Sequence, residues 1–319
     1  LSVSPIGVLL MAFGGPDAPE AIEPFMKNLM GGRTPPPELV EKVKARYRLI
    51  GGHSPLPKIT REQARELEKY LCTGSKNYRV TVGMCHWHPF IREGLAELVD
   101  GGVEKIIAVS LAPFFSKVST GAYQDELDKA ISELKSSLPG GARFPDTVVA
   151  GPLYDNRLFT DAVAERVIQG LEHFPEEQKA DIPVIFSAHS LPVEYIRGGD
   201  PYVAQFDSAV KQVVEKLHLS NWHTAYQSKG GGRGEWLGPM VEDVMERLRE
   251  NGSRDVMVVP IGFVSDHIET LYDIDIAQKN HAQSIGLNFH RTAALNTAEL
   301  FIRAMADIVL RELDGKEHH

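Results

Sequence analysis

The feature that most restricts the fold of this chain is a set of apolar runs without one-in-two alternation, at 7–13, 103–111, 147–149, 182–186 and 256–263. A strand with one wet face alternates apolar and polar residues, whereas a strand covered on both faces stays apolar throughout. Charged amphipathic stretches of helical length separate these runs, at 37–49, 61–71, 90–98, 123–134, 158–171, 202–217 and 241–250, and a further helical pattern spans 296–313. Strand and helix in alternation predict βαβ units and a mainly parallel sheet, hence an α/β fold. Stretches 104–116 and 255–265 each combine a strand, a proline near its carboxyl end, aromatic residues and a serine. Stretches 7–16 and 182–192 each run from a strand into a turn that ends in proline. These echoes predict two similar α/β domains, 1–150 and 151–319, dividing in the interval 150–175.

Composition narrows the function. With 319 residues, 43% of them hydrophobic, the chain can build two ordinary cores. A formal net charge of -9 argues against nucleic acid as a partner. Cys72 and Cys85 are the only cysteines and no CxxC occurs, which disfavours a disulfide scaffold, a structural zinc site or an iron–sulfur cluster. The apolar run at 7–13 is too short for a signal peptide or a spanning helix, and no stretch approaches the about 18 apolar residues a bilayer requires. A cytoplasmic protein is therefore expected. His318 and His319 are assigned no role.

In open parallel sheets, ligands sit beyond the carboxyl ends of the strands. Two such ends carry the titratable groups. His189, within Ser187-Ala188-His189-Ser190-Leu191-Pro192, is expected a few residues past the strand 182–186. Asp266-His267-Ile268-Glu269 follows the strand 256–263. A helix beginning at Glu269 would favour the carboxylate and a low-polarity cleft would oppose it; the blander alternative is a solvated first turn with Asp266 as N-cap. HExxH and GxSxG are both absent, which argues against a zinc protease and against acyl transfer. Gly14-Gly15-Pro16 is not a dinucleotide fingerprint, and 230–234 is expected to be a glycine-rich loop without the lysine and hydroxyl of a P-loop. Arg46-Tyr47 and Gly51-Gly52-His53-Ser54 could meet a flat anionic ligand. Arg33 stands beside Pro35-Pro36-Pro37, behind an apolar lip of Phe25, Met26, Leu29 and Met30. Cys85-His86-Trp87-His88-Pro89 could offer metal ligands, but a structural or pocket-lining role fits the absence of a complete ligand set.

Taken together, these segments resemble the ferrochelatase family. Ser187 to Pro192 is similar to its active-site histidine signature, and Asp266-His267-Ile268-Glu269-Thr270-Leu271-Tyr272 to its catalytic carboxylate segment. Shorter matches follow in order at Gly51 to Leu56, Leu111 to Ser116, Ala225 to Ser228 and Trp236 to Pro239. The resemblance implies two Rossmann-like domains, each with a four-stranded, mainly parallel sheet flanked by helices in the chelatase manner, with the last helix packing back on the first domain. It implies insertion of Fe(II), as substrate, into a porphyrin, with His189 and Glu269 facing the metal and the pyrrole nitrogens. Phe13, Arg33, Arg46, Tyr47, Ser54 and Tyr123 match positions expected to bind the porphyrin, and His86, Trp236, Asp266 and His267 are expected behind them or in the wall. No organic cofactor is expected. The expected associations are the porphyrin, transient contacts with haem-pathway proteins and, at most, peripheral contact with a membrane, for a monomer.

The residue types suit that chemistry. A porphyrin takes a divalent metal only after losing two N–H protons. A histidine can accept a proton or ligate iron, and a carboxylate can relay the other proton. Phe13 stands where family members acting on coproporphyrin often carry tyrosine, and only Arg33 remains of an arginine-rich region. Fewer cations favour a less anionic porphyrin, because each unpaired buried propionate costs desolvation. Protoporphyrin IX is thus expected ahead of coproporphyrin III. A non-catalytic porphyrin or haem carrier and a chelatase for cobalt or nickel tetrapyrroles are the alternatives.

Overall fold

A computed structural model describes residues 4–74, 76–139, 143–231 and 234–314. Gly232 and Arg233 of the expected loop, and His318 and His319, lie outside the described residues.

The first half runs β1 (Ile6–Ala12), α1 (Ile22–Leu29), α2 (Pro37–Leu49), α3 (Leu56–Leu71), β2 (Tyr78–Met84), α4 (Ile91–Asp100), β3 (Lys105–Ser110), α5 (Ala122–Ser137) and β4 (Asp146–Val149). Its sheet has the order β2-β1-β3-β4 and every pairing is parallel. Val8, Leu9, Leu10 and Met11 are all fully buried, because successive side chains point to opposite faces and both faces are covered. Each such side chain stabilises by roughly 1.5–3 kcal/mol when buried. α4 lies so close to β2 that a Cβ at Gly94 would stand 2.2 Å from the Val82 carbonyl oxygen.

The second half repeats the plan: α6 (Arg157–Leu171), β5 (Val184–His189), α7 (Val193–Arg197), α8 (Tyr202–Leu217), β6 (Trp222–Gln227), α9 (Val241–Glu250), β7 (Asp255–Val259), α10 (Lys279–Ser284), β8 (Asn288–Arg291) and α11 (Glu299–Asp314). Its sheet has the order β6-β5-β7-β8, again wholly parallel. α6 starts where the Asn156 side chain accepts from the Leu158 backbone N–H at 2.9 Å. α11 packs on α6 and also on α3 and β3 of the first half. Phe301, Met305 and Val309 are its fully buried face, and its far end accepts a hydrogen bond from Lys105 Nζ at the Glu312 carbonyl, 3.3 Å. One apolar core therefore joins one face of each sheet.

Among the described residues two segments are π-helical, Lys117–Gly121 and Glu269–Gln278. Such turns are rare and occur frequently at functional sites. Each follows the carboxyl end of a central strand, β3 in one half and β7 in the other.

Candidate active site

β5 runs further than its apolar pattern predicts. Pairing with β6 continues through Ala188↔Tyr226 and His189↔Gln227, so His189 is the last residue of the strand itself. Its backbone is fixed on both sides. The Tyr202 hydroxyl donates to the His189 carbonyl at 3.0 Å, and the Ser190 N–H donates to the Gln227 carbonyl at 2.8 Å.

β7, in contrast, ends at Val259, short of its apolar run, because Pro260 has no N–H to offer the ladder. The chain turns instead, and the Gly262 N–H donates to the Ser187 carbonyl at 3.1 Å. The approach is tight: a Cβ at Gly262 would lie 2.8 Å from both Cα and Cβ of Ala188. This contact brings the following segment against β5.

Asp266 does not cap the helix that follows. That position falls to Ile268, which makes no side-chain cap bond. The Asp266 carboxylate instead accepts from Arg291 Nη1 at 3.1 Å, Asn296 Nδ2 at 2.8 Å and Thr270 Oγ1 at 3.1 Å. Arg291 also forks onto Asp275 in the π-helix, through Nε at 2.6 Å and Nη2 at 2.8 Å. One half-buried guanidinium thus holds the segment on both sides of Glu269. From the first half, Gln63 Nε2 reaches Ser265 Oγ and the Asn296 carbonyl, each at 2.8 Å.

Glu269 is the first residue of the π-helix. Its Oε2 lies 3.4 Å from His189 Nδ1 and 3.8 Å from His267 Nε2. The His267 Nδ1 is 3.0 Å from the Ser265 carbonyl, which can only accept, so Nδ1 carries the hydrogen and Nε2 is the edge turned to Glu269. Gln227 ties the two tips together: its Oε1 accepts from Ser187 Oγ at 2.8 Å and its Nε2 donates to the Glu269 carbonyl at 3.0 Å. Burial pushes the Glu269 carboxyl up, but the His189 and His267 side chains, in their protonated form, outweigh it and hold the group at about 2. Glu269 is therefore a carboxylate. Burial, with a contribution from that charge, raises the Tyr47, Tyr123 and Tyr202 phenols and keeps them protonated.

His189, His267 and Glu269 border a cleft holding about 1370 Å³ of atom-free space, its solvent-open mouth included. Phe13, Tyr123, His189, Trp236, His267 and Glu269 are all in its lining, with Leu111, Pro113, Phe114, Val118, Leu191 and Phe263 making most of the remaining wall apolar. The other expected site residues lie outside that lining. His86 backs Phe13, ring centroids 4.6 Å apart, and burial lowers its pKa. Tyr47 is buried in a small core with Ile22, Met26 and Val40. Arg46 stands over the Tyr272 ring, 5.0 Å from its centroid. Ser54 is buried with its N–H on the Pro16 carbonyl at 2.7 Å, and Arg33 is exposed with Nε on the Met30 carbonyl at 3.1 Å. Among the described residues, no group of three or more His, Cys, Asp or Glu side chains is placed to hold a metal. His189 and Glu269 can contact an ion whose remaining ligands a bound molecule supplies.

Sequence reasoning passed over Tyr202, Gln227 and Arg291. Gln227 lay inside a recognised short motif, Ala225 to Ser228. Tyr202 and Arg291 carried no signal, since a tyrosine opening an amphipathic helix and an arginine in a short polar strand are ordinary surface patterns.

Residues 5–313 match the family model described as Ferrochelatase. A ferrochelatase of Herpetosiphon aurantiacus is 37% identical over 303 residues, covering 95% of this chain and 97% of that protein. A coproporphyrin III ferrochelatase of Geobacillus thermodenitrificans is 36% identical over 318 residues, covering 98% of each. Among solved structures, SirB from Bacillus subtilis with Fe3+ aligns over 98% of this chain and 97% of its own, with a TM-score of 0.62 at 12% identity, a likeness of fold.

Proposed function

The chain belongs to the ferrochelatase family, and from that premise we propose that it inserts Fe(II) into protoporphyrin IX, giving protohaem and two protons. The observation that carries this reading is the His189–Glu269 pair, 3.4 Å apart, at the edge of a cleft whose lining is mostly apolar and aromatic. A flat hydrophobic macrocycle fills such a cleft by burial, and its four nitrogens complete the ligand set that the protein leaves short.

The carboxylate of Glu269 favours the tautomer of His189 with hydrogen on Nδ1. The lone pair of Nε2 is then free to take the first pyrrole proton. The imidazolium that forms is stabilised by the adjacent carboxylate. Glu269 relays the second proton and meets the incoming iron as it sheds water. Tyr202 and Gln227 fix the backbone at both groups, so the two side chains keep their separation while the macrocycle deforms. In this reading 1–150 and 151–319 act as domains that form opposite walls. Phe13, Tyr123 and Trp236 flank the ring, Tyr47, His86, Asp266 and His267 support the groups around it, and the propionates extend towards Arg33, Arg46 and Ser54. The mostly apolar lining favours two propionates over four.

We further propose that the protein works as a cytoplasmic monomer without an organic cofactor, touching membranes only peripherally. Among the described residues no helix is long and apolar enough to cross a membrane. The test is side-by-side anaerobic metallation of protoporphyrin IX, coproporphyrin III and sirohydrochlorin with Fe(II). The highest kcat/KM is expected for protoporphyrin IX. A preference for coproporphyrin III overturns the substrate, a preference for sirohydrochlorin overturns the class, and saturable binding without metallation identifies a carrier.

A further inference from the structure

We infer that Asp200 is a positioning residue for porphyrin binding, joining the first-half wall of the cleft to the strand that carries His189. Asp200 lies between α7 and α8 of the second half and is 5% exposed. Its Oδ2 accepts from the Ser116 hydroxyl at 3.0 Å and from the Lys117 backbone N–H at 2.8 Å, both in the first half. Its Oδ1 accepts from the Tyr202 N–H at 3.0 Å, at the start of α8.

One carboxylate therefore accepts from the first backbone N–H of two helical segments in opposite halves, Lys117 and Tyr202. Beside it, Gln205 Oε1 accepts from the Phe115 N–H at 2.7 Å. The apolar packing runs parallel: Phe114 sits edge-on to Tyr202 at 6.0 Å and against Phe206 at 5.6 Å between centroids.

Each end of this clasp reaches the cleft. On one side, Pro113, Phe114, Val118 and Ser119 line it. On the other, the Tyr202 hydroxyl holds the His189 carbonyl at 3.0 Å. Tyr202 itself lines the cleft. The width of the cleft between Val118 and His189 is thus set through Asp200. An amide cannot replace it. In Asp200→Asn, whichever way the side chain turns, an NH2 faces a donor it cannot satisfy. The wall segment is then free to move from its position over the ring, which weakens binding of the macrocycle without altering the proton acceptor.

This inference rests on the porphyrin reading above, so the test uses metal-free protoporphyrin IX and needs no turnover. Binding is followed by fluorescence in the full-length protein, with thermal unfolding as the check of folding and steady-state kinetics alongside. Asp200→Asn is expected to raise the porphyrin Kd and KM about tenfold, with kcat and the Fe(II) KM within about twofold. Gln205→Leu removes the neighbouring acceptor and is expected to raise Kd about threefold, which keeps the test decisive if Asp200→Asn does not fold. A merely structural role would lower the melting temperature and leave Kd of the folded protein unchanged, and that result overturns the inference. Wild-type protein that binds porphyrin without metallating it contradicts the proposed function and leaves Asp200 to be judged by Kd. Wild-type protein that binds no porphyrin overturns both.

Discussion

His189 Nδ1 and Glu269 Oε2 lie 3.4 Å apart, yet Nδ1 is buried and makes no hydrogen bond among the described residues. The two side chains belong to the ends of neighbouring strand systems, one on β5 and one beyond β7. Their separation is close enough for charge to couple them and loose enough for a proton to reorganise the contact. Apo sites commonly hold catalytic pairs in this condition and tighten when substrate arrives.

The charge coupling has a pH signature in stability. Glu269 is held at about 2 in the folded protein, against about 4.3 in an unfolded chain. A depressed carboxylate contributes stability that is present above the unfolded value and lost as pH falls through the folded one. Denaturant unfolding between pH 5 and pH 2.5 should therefore show wild type losing more stability than Glu269→Gln, by on the order of 1–3 kcal/mol. Parallel losses in the two proteins would contradict the coupling.

Arg291 is the cation on which the Glu269 segment depends. Replacing it with methionine strands the Asp266 and Asp275 carboxylates, and the expected loss is ~3 kcal/mol of unfolding free energy. Arg291→Lys keeps charge but cannot fork, so an intermediate loss is expected. In both variants kcat should fall while the porphyrin KM holds, because the clamp acts on Glu269 and not on the cleft wall. A porphyrin KM that rises with kcat unchanged would show that the clamp shapes the wall instead.

Gly262 is expected to tolerate no side chain. In Gly262→Ala the new Cβ meets Ala188 at 2.8 Å, and β5 backbone cannot yield as a flexible side chain would. Overpacking of this kind destabilises by about 1–3 kcal/mol. Pushing the two tips apart should also lower kcat, measured as initial metallation rate per folded protein. A variant with wild-type kcat would mean that the tips do not need their present spacing.

How much of this was legible in the sequence follows from burial. β1, β3, β5 and β7 are central strands covered on both faces, and their unbroken apolar runs identified them. β4 showed only as a three-residue run. β2, β6 and β8 are edge strands with partly exposed stretches, as in Arg79-Val80, Trp222-His223-Thr224 and Phe289-His290-Arg291. Mixed composition of that kind has no two-sided pattern, so they were passed over. At the site, His189, His267 and Glu269 were legible because titratable groups are unusual beyond buried strands. Tyr202, Arg291 and Asp200 act on those groups from a distance in sequence, and only the fold brings them together. Tyr123 and Trp236 were found through family resemblance, since an aromatic residue in a helix or loop reads first as core.

The central claim is that His189 is the proton acceptor through which metal enters the ring. It is tested most directly by anaerobic Fe(II) insertion into protoporphyrin IX by His189→Ala, with binding of the metal-free porphyrin measured on the same preparation. The expected result is porphyrin binding within about threefold of wild type and a loss of at least about a hundredfold in kcat. Wild-type turnover in a folded variant that binds porphyrin normally would contradict it.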